Sequence, residues 1–181
     1  MGKTGRRSFL QKSGAALLAG SFALDLVNPK RAYASAADSL KVGLVGCGGR
    51  GTGAAMQALQ ADPGTVITAM GDIFPAQMDM AIKELTEAFP DRVKPTKFTG
   101  FDAYKKVIDS GVDVVLLATP PVFRPEHFSA AVNAGKHVFA EKPVAIDAPG
   151  VRKILESAKK AKEKNLSVVS GFCFRYDFAK R

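Results

Sequence analysis

The feature that most constrains this chain is a glycine run, Gly46-Cys47-Gly48-Gly49-Arg50-Gly51, set directly after the apolar run Leu40–Val45 (LKVGLV). Glycines at 46, 48 and 51 fit the spacing G-x-G-x-x-G, which asks for a strand that turns sharply into a helix. The first glycine permits the tight turn, the second lets a diphosphate come close to the backbone, and the third lets the helix lie against the strand. A helix opening here points its free N–H groups and positive dipole end at the same place. The bare spacing is weak evidence. Its context, strand before and helix then strand after, makes it informative.

Beyond the glycines, short β-branched runs alternate with longer helical patterns. The periodicity predicts a helix over Gly51–Gln60, a strand over Val66–Met70, and a helix from Pro75 to Ala88 with proline in its first turn. It then predicts a weak strand near Lys97–Phe98, a helix over Asp102–Ser110 and a buried strand over Asp113–Ala118 (DVVLLA). A helix over Pro125–Ala134, a strand over His137–Ala140, a helix over Ala148–Lys164 and a strand over Ser167–Gly171 complete the pattern. Strands and helices in alternation imply an α/β fold, a Rossmann-type doubly wound parallel sheet covered on both faces. Right-handed crossovers then bring the C-terminal ends of the strands to one edge, where such sheets bind ligands. The predicted second strand ends in Met70-Gly71-Asp72, 21 residues beyond Gly51, where a carboxylate accepts hydrogen bonds from ribose hydroxyls. It repels a 2′-phosphate and so favours NAD over NADP, although Arg50 partly offsets that repulsion. The plain alternative is that Asp72 only caps the turn that follows.

A more specific set of residues lies downstream. Ala118-Thr119-Pro120-Pro121, then His127, then Ala134-Gly135-Lys136-His137-Val138-Phe139-Ala140-Glu141-Lys142-Pro143 resembles the Gfo/Idh/MocA oxidoreductases, the glucose–fructose oxidoreductase and inositol dehydrogenase family. With the glycine loop, the resemblance covers roughly 41–175. It implies a nucleotide domain followed by a larger open-sheet domain that shapes the substrate pocket and aids oligomerisation. It implies that Lys142 is the active-site lysine, beside the nicotinamide and the reacting hydroxyl, with Glu141 and Pro143 as its neighbours. Thr119 and Pro120 match the loop on the nicotinamide side, His127 the histidine after that loop, and Arg175 a residue near the pocket entrance. The expected cofactor contacts are therefore Gly46, Gly48, Gly49, Arg50, Gly51, Asp72, Thr119, Pro120, His127, Glu141, Lys142 and Arg175, with no metal site. His137 reads as structural.

The chemistry is consistent with that assignment. Oxidising a secondary alcohol by hydride transfer requires the hydroxyl proton to leave as the carbonyl forms, and an ammonium hydrogen-bonded to that oxygen stabilises the developing alkoxide. The bland reading of Lys142 is an ordinary loop lysine. The expected function is an NAD(P)-dependent oxidoreductase acting on a sugar, polyol or related hydroxyl compound. An NAD-dependent glycosidase on the same scaffold and a nucleotide-binding fragment without catalysis stand as alternatives, because fold alone does not choose. The family's second-domain motif, an aspartate and a histidine one helical turn apart, has no counterpart before Arg181. Residues 176–181 therefore read as the start of a link to a missing C-terminal substrate domain, and a homo-oligomer is expected only where that domain is present.

At 181 residues, with 46% hydrophobic and 24% charged, the chain has the composition of one globular domain. Its net charge of +9 is concentrated at the N-terminus. Residues 1–34 hold six of the 26 basic residues and one of the 17 acidic ones, leaving 20 against 16, a surplus of +4. No aromatic interleaving or recognition motif accompanies it, so nucleic acid is not an expected partner. The same segment runs from Arg6-Arg7-Ser8-Phe9-Leu10 through an apolar stretch to Ala32-Tyr33-Ala34, and resembles a twin-arginine signal. Residues 1–34 are thus expected to engage the twin-arginine export machinery and be removed, leaving a periplasmic domain from about 38 to 175. The apolar stretch is short and broken by Asp25, which argues against stable membrane insertion. Cys47 and Cys173 are expected to be small packing residues.

Overall fold

The computed structural model describes residues 39–175; the expected signal over 1–34 and the expected link over 176–181 lie outside them. The elements follow in the order β1 (Leu40–Val45), α1 (Gly49–Ala61), β2 (Thr65–Asp72), α2 (Pro75–Ala88), β3 (Val93–Thr99) and α3 (Ala103–Asp109). Then come β4 (Val114–Leu117), α4 (Arg124–Asn133), β5 (His137–Ala140), α5 (Ala148–Glu163), β6 (Val168–Ser170) and a 3₁₀ turn at Cys173–Arg175. All six strands are parallel, in the order β3-β2-β1-β4-β5-β6. The order reverses between β1 and β4, which places the switch point of a doubly wound sheet beside the glycine loop.

Period-two alternation along the strands builds two cores from one sheet. In β4, Leu116 joins Val42, Leu44, Leu59, Ile67 and Met70 under α1 and α2. Its neighbours Val115 and Leu117 face the other way, toward Val107, Phe128, Val132, Val138 and Ala161 under α3, α4 and α5. Burying each such side chain is worth about 1.5–3 kcal/mol. The ion pairs Lys97–Asp79, Lys105–Asp102 and Lys160–Glu156 are exposed, so solvent screens them and they add little. Burial therefore decides the fold.

Two differences from the periodicity have physical causes. The weak strand expected at Lys97–Phe98 extends over Val93–Thr99. It is the sheet's edge, so it tolerates Pro95 and exposed lysines that disguise a strand in sequence. The register slips at Thr68, which is an extra residue of β2 against β1, whereas against β2 the extra residue falls in β3 at 94–95. Helix α1 begins two residues earlier than expected, at Gly49, so that Gly49, Arg50 and Gly51 all lie in its first turn. Just past α5, Lys164 Nζ donates to the carbonyls of Val132 and Asn133 (3.2 and 2.8 Å), closing the C-terminal end of α4. His137 is structural as expected, its Nδ1 accepting from Ser167 N at 2.9 Å.

Candidate functional site

The turn from β1 into α1 behaves as the glycine spacing requires. Gly46 has φ +91°, and a Cβ there would meet the backbone of Thr119 and Ala118 at 2.7 and 2.8 Å. At Gly51 a Cβ would come within 1.8 Å of the Gly46 carbonyl oxygen, because helix and turn touch. Gly48 is different: a Cβ there would meet nothing within 4 Å. Gly48 is also the N-cap of α1, where no side chain caps the helix and no acidic residue stands in the first turn. Uncapped N–H groups above an open cradle suit a diphosphate.

Asp72 closes the other side of the loop. Its Oδ2 accepts from Cys47 N at 2.6 Å and its Oδ1 from Phe74 N at 2.9 Å. The carboxylate thus staples the glycine loop to the end of β2 and also caps the following turn. A carboxylate has about four acceptor positions, so capacity remains for hydroxyl donors.

These residues edge a cleft of about 270 Å³ built on the ends of β1, β2, β3 and β4. Gly46, Gly48, Asp72, Thr119, Pro120 and His127 all line it. So do Phe74, Phe101, Tyr104 and Phe123, which the sequence reading missed. Their only sequence signal was position, Phe74 and Phe101 each following a strand end by two residues; the fold leaves them 60% and 72% exposed. Tyr104 stacks on His127 with ring centroids 4.0 Å apart, and the Phe123 ring lies 6.1 Å from it, nearly parallel. His127 Nδ1 shares a hydrogen bond with Thr119 Oγ1 at 3.2 Å. Burial pushes the His127 pKa down to about 4; Glu126 opposes the shift and Arg124 adds to it. The ring is neutral at pH 7.

Glu141 follows β5 directly and is 3% exposed. Arg50, from the first turn of α1, holds its Oε1 through Nε at 2.7 Å and Nη2 at 2.5 Å. That hydrogen bond raises the Arg50 pKa further. Gly171 makes room for the carboxylate, since a Cβ there would lie 2.8–2.9 Å from its atoms. Glu141 therefore faces Arg50 and does not line the cleft. Lys142 stands exposed on the next residue, at the head of the loop after β5, and the Lys142–Pro143 bond is cis.

Arg124 was missed as well. It is 3% exposed at the start of α4 and donates to the carbonyl oxygens of Thr119 and Pro143. A cation in a helix's first turn opposes the dipole, a signal legible in the dipeptide Arg124-Pro125. Burial lowers its pKa, against the pull of Glu141.

Three expectations depart from the structure: Glu141, expected to touch cofactor, is turned to Arg50, and Arg175 and Cys173 differ as well. Arg175 sits in the 3₁₀ turn beyond β6, with its guanidinium 5.7 Å from the Phe172 ring centre. It lines a separate depression with Val168, Val169, Ser170 and Phe172, because the chain leaves the sheet on that side. Cys173 is exposed in the same turn and is no packing residue, whereas Cys47 is buried as expected. Both thiols are free. Burial, and after it Asp72, raises the Cys47 pKa to about 12. A thiol reagent at neutral pH should therefore modify Cys173 readily and Cys47 only on unfolding; fast reaction of both in the native state would refute the placement.

Comparison with known proteins agrees with this geometry. Residues 40–170 match the family described as "Oxidoreductase family, NAD-binding Rossmann fold". The chain is 33% identical over 138 residues to the dTDP-3,4-didehydro-2,6-dideoxy-alpha-D-glucose 3-reductase of Actinomadura kijaniata, covering 76% of this chain and 38% of that protein. It is 30% identical over 148 residues to a glycosyl hydrolase family 109 protein of Shewanella pealeana, covering 80% and 30% respectively. Its fold matches scyllo-inositol dehydrogenase from Lactobacillus casei, solved with NAD(H) and scyllo-inositol, with a TM-score of 0.63 and 27% identity. That match covers 78% of this chain and 38% of the dehydrogenase, so the chain spans well under half the length of each relative. From the glycine turn to the loop after β5, this chain belongs to the Gfo/Idh/MocA oxidoreductase family.

Proposed function

We propose that this chain is the NAD-holding part of an exported oxidoreductase that acts on a CH–OH group of a sugar, polyol or related compound. The observation that carries the reading is the uncapped N-terminus of α1 above the open cradle at Gly48, with Asp72 across from it at the switch point. Gly46, Gly48, Gly49 and Gly51 would embrace the diphosphate, Asp72 the adenosine ribose, and Thr119, Pro120 and His127 the nicotinamide side. When bound, NAD supplies the hydride acceptor or donor. Lys142 would hydrogen-bond the substrate hydroxyl oxygen, taking its proton as the neutral amine when the alcohol is oxidised and returning one as the ammonium when the carbonyl is reduced. The carboxylate of Asp72 disfavours a 2′-phosphate, so NAD is preferred over NADP. The Arg6-Arg7-Ser8-Phe9-Leu10 pattern supports twin-arginine export to the periplasm, and oligomer contacts belong to the domain that the longer relatives carry.

Titration with NADH should change its fluorescence on binding, and no binding at millimolar cofactor would reject the proposal. Lys142→Ala should spare that binding and, in a form that carries the substrate domain, cut turnover of a responsive polyol about 10²–10⁴-fold. Unchanged turnover would remove Lys142 from the chemistry. The glycosyl hydrolase relative favours one second reading, an NAD-dependent glycosidase. That enzyme would release sugar from a chromogenic glycoside with no net change in NADH absorbance.

A further inference from the structure

We propose that Arg124 is a positioning residue that sets the spacing between the two loops flanking the nicotinamide side of the site, an inference that rests on the function proposed above. The β4–β5 ladder ends at the bond from Glu141 N to the Leu117 carbonyl, 3.0 Å long. Beyond that rung the strands part into the Thr119-Pro120 loop and the Glu141-Lys142-Pro143 loop. Arg124 is the next tie across the gap: one Nη donates to the Thr119 carbonyl, the other to that of Pro143. One anchor lies just before Pro120, the other just after Lys142.

The site is an expensive place for a guanidinium. It is almost fully buried, at the positive end of a helix, and its Nε has no partner among the described residues. An apolar side chain would fill the space with none of these penalties. What arginine adds is a rigid fork whose two donors engage two carbonyls at once, a geometry no other side chain offers. The charge is balanced by Glu141, which lies within electrostatic reach and is itself held by Arg50 on α1. The first turn of the glycine loop, the buried carboxylate and the guanidinium thus form one chain of charges from the diphosphate cradle to the loop that carries Lys142.

The test separates the two halves of the cofactor. ADP engages only the cradle and Asp72, whereas NADH also needs the two loops. Arg124→Lys keeps the charge and loses the fork. It should weaken NADH about tenfold, the equivalent of one hydrogen bond to a charged group, and leave ADP within about twofold. Equal losses for both ligands would mark a merely structural residue, and unchanged NADH affinity would equally overturn the assignment. Should the variant fail to fold, the unaltered chain supplies the same answer by NMR of ¹⁵N-labelled arginine side chains. The Arg124 Nη signals should shift with NADH and stay in place with ADP, and indifference to NADH would sink the proposal. A chain that binds neither ligand removes the parent reading and this inference with it, an outcome distinct from a chain that binds both while Arg124 is silent.

Discussion

Gly51→Ala is expected to destabilise the domain by about 3 kcal/mol or more and to abolish NADH binding, because its methyl group would sit 1.8 Å from the Gly46 carbonyl oxygen. That neighbour is backbone, fixed in turn by the bond from Gly46 N to the Gly71 carbonyl (2.9 Å), so it does not move aside cheaply. Gly48→Ala is the informative partner. Its methyl group meets no protein atom within 4 Å, so it should cost no more than about 1 kcal/mol, the usual penalty of alanine at an N-cap. Yet it fills the space left for a diphosphate and should weaken NADH and ADP alike by at least about tenfold. Denaturant unfolding and fluorescence titration on the two variants separate packing from binding. Equal binding by Gly48→Ala and the unaltered chain would refute the cradle.

The second large effect is a stability that falls in mild acid because of His127. In the unfolded chain the ring titrates at its ordinary 6.5, whereas in the fold burial holds it near 4. Between those values the unfolded state takes up a proton that the folded state refuses, so protonation favours unfolding. The contribution is fully present above pH 6.5 and is lost as the pH falls toward 4. At about 1.4 kcal/mol per unit, the loss reaches about 3 kcal/mol. Carboxylates impose their own slope in the same range, so the comparison must be differential. His127→Gln should be less stable than the unaltered chain at pH 7, where the Tyr104 stack and the Thr119 bond count in full. That gap should narrow by about 3 kcal/mol at pH 4. Parallel stability curves would show that the ring is not held neutral.

Sequence patterns are legible where one local rule acts alone. The strand–glycine–helix passage was of this kind, since Gly46 answers to a turn and Gly51 to a contact within the same ten residues. The apolar strand over 113–118 and the proline-led start of α2 were equally local. The edge strand β3 was nearly lost, because its exposed face accepts the lysines and the proline that a buried strand excludes. Arg175 lay at the far end of the resemblance, and the fold sets it in a depression of its own beyond β6.

Residues 40–170 thus dictated by themselves a parallel sheet wound on both sides and an open glycine turn at its switch point, because period, turn and helix start are all short-range constraints. Pairing across the sheet was beyond their reach. Arg50 meets Glu141 across 91 positions, Cys47 meets Asp72 across 25, and Arg124 joins carbonyls on two different loops. Partners this distant become neighbours only when crossovers stack the strand ends along one edge. A buried charge survives there only if that stacking delivers its counter-charge and its acceptors, so the tertiary fold alone decided which side chains hold the site together.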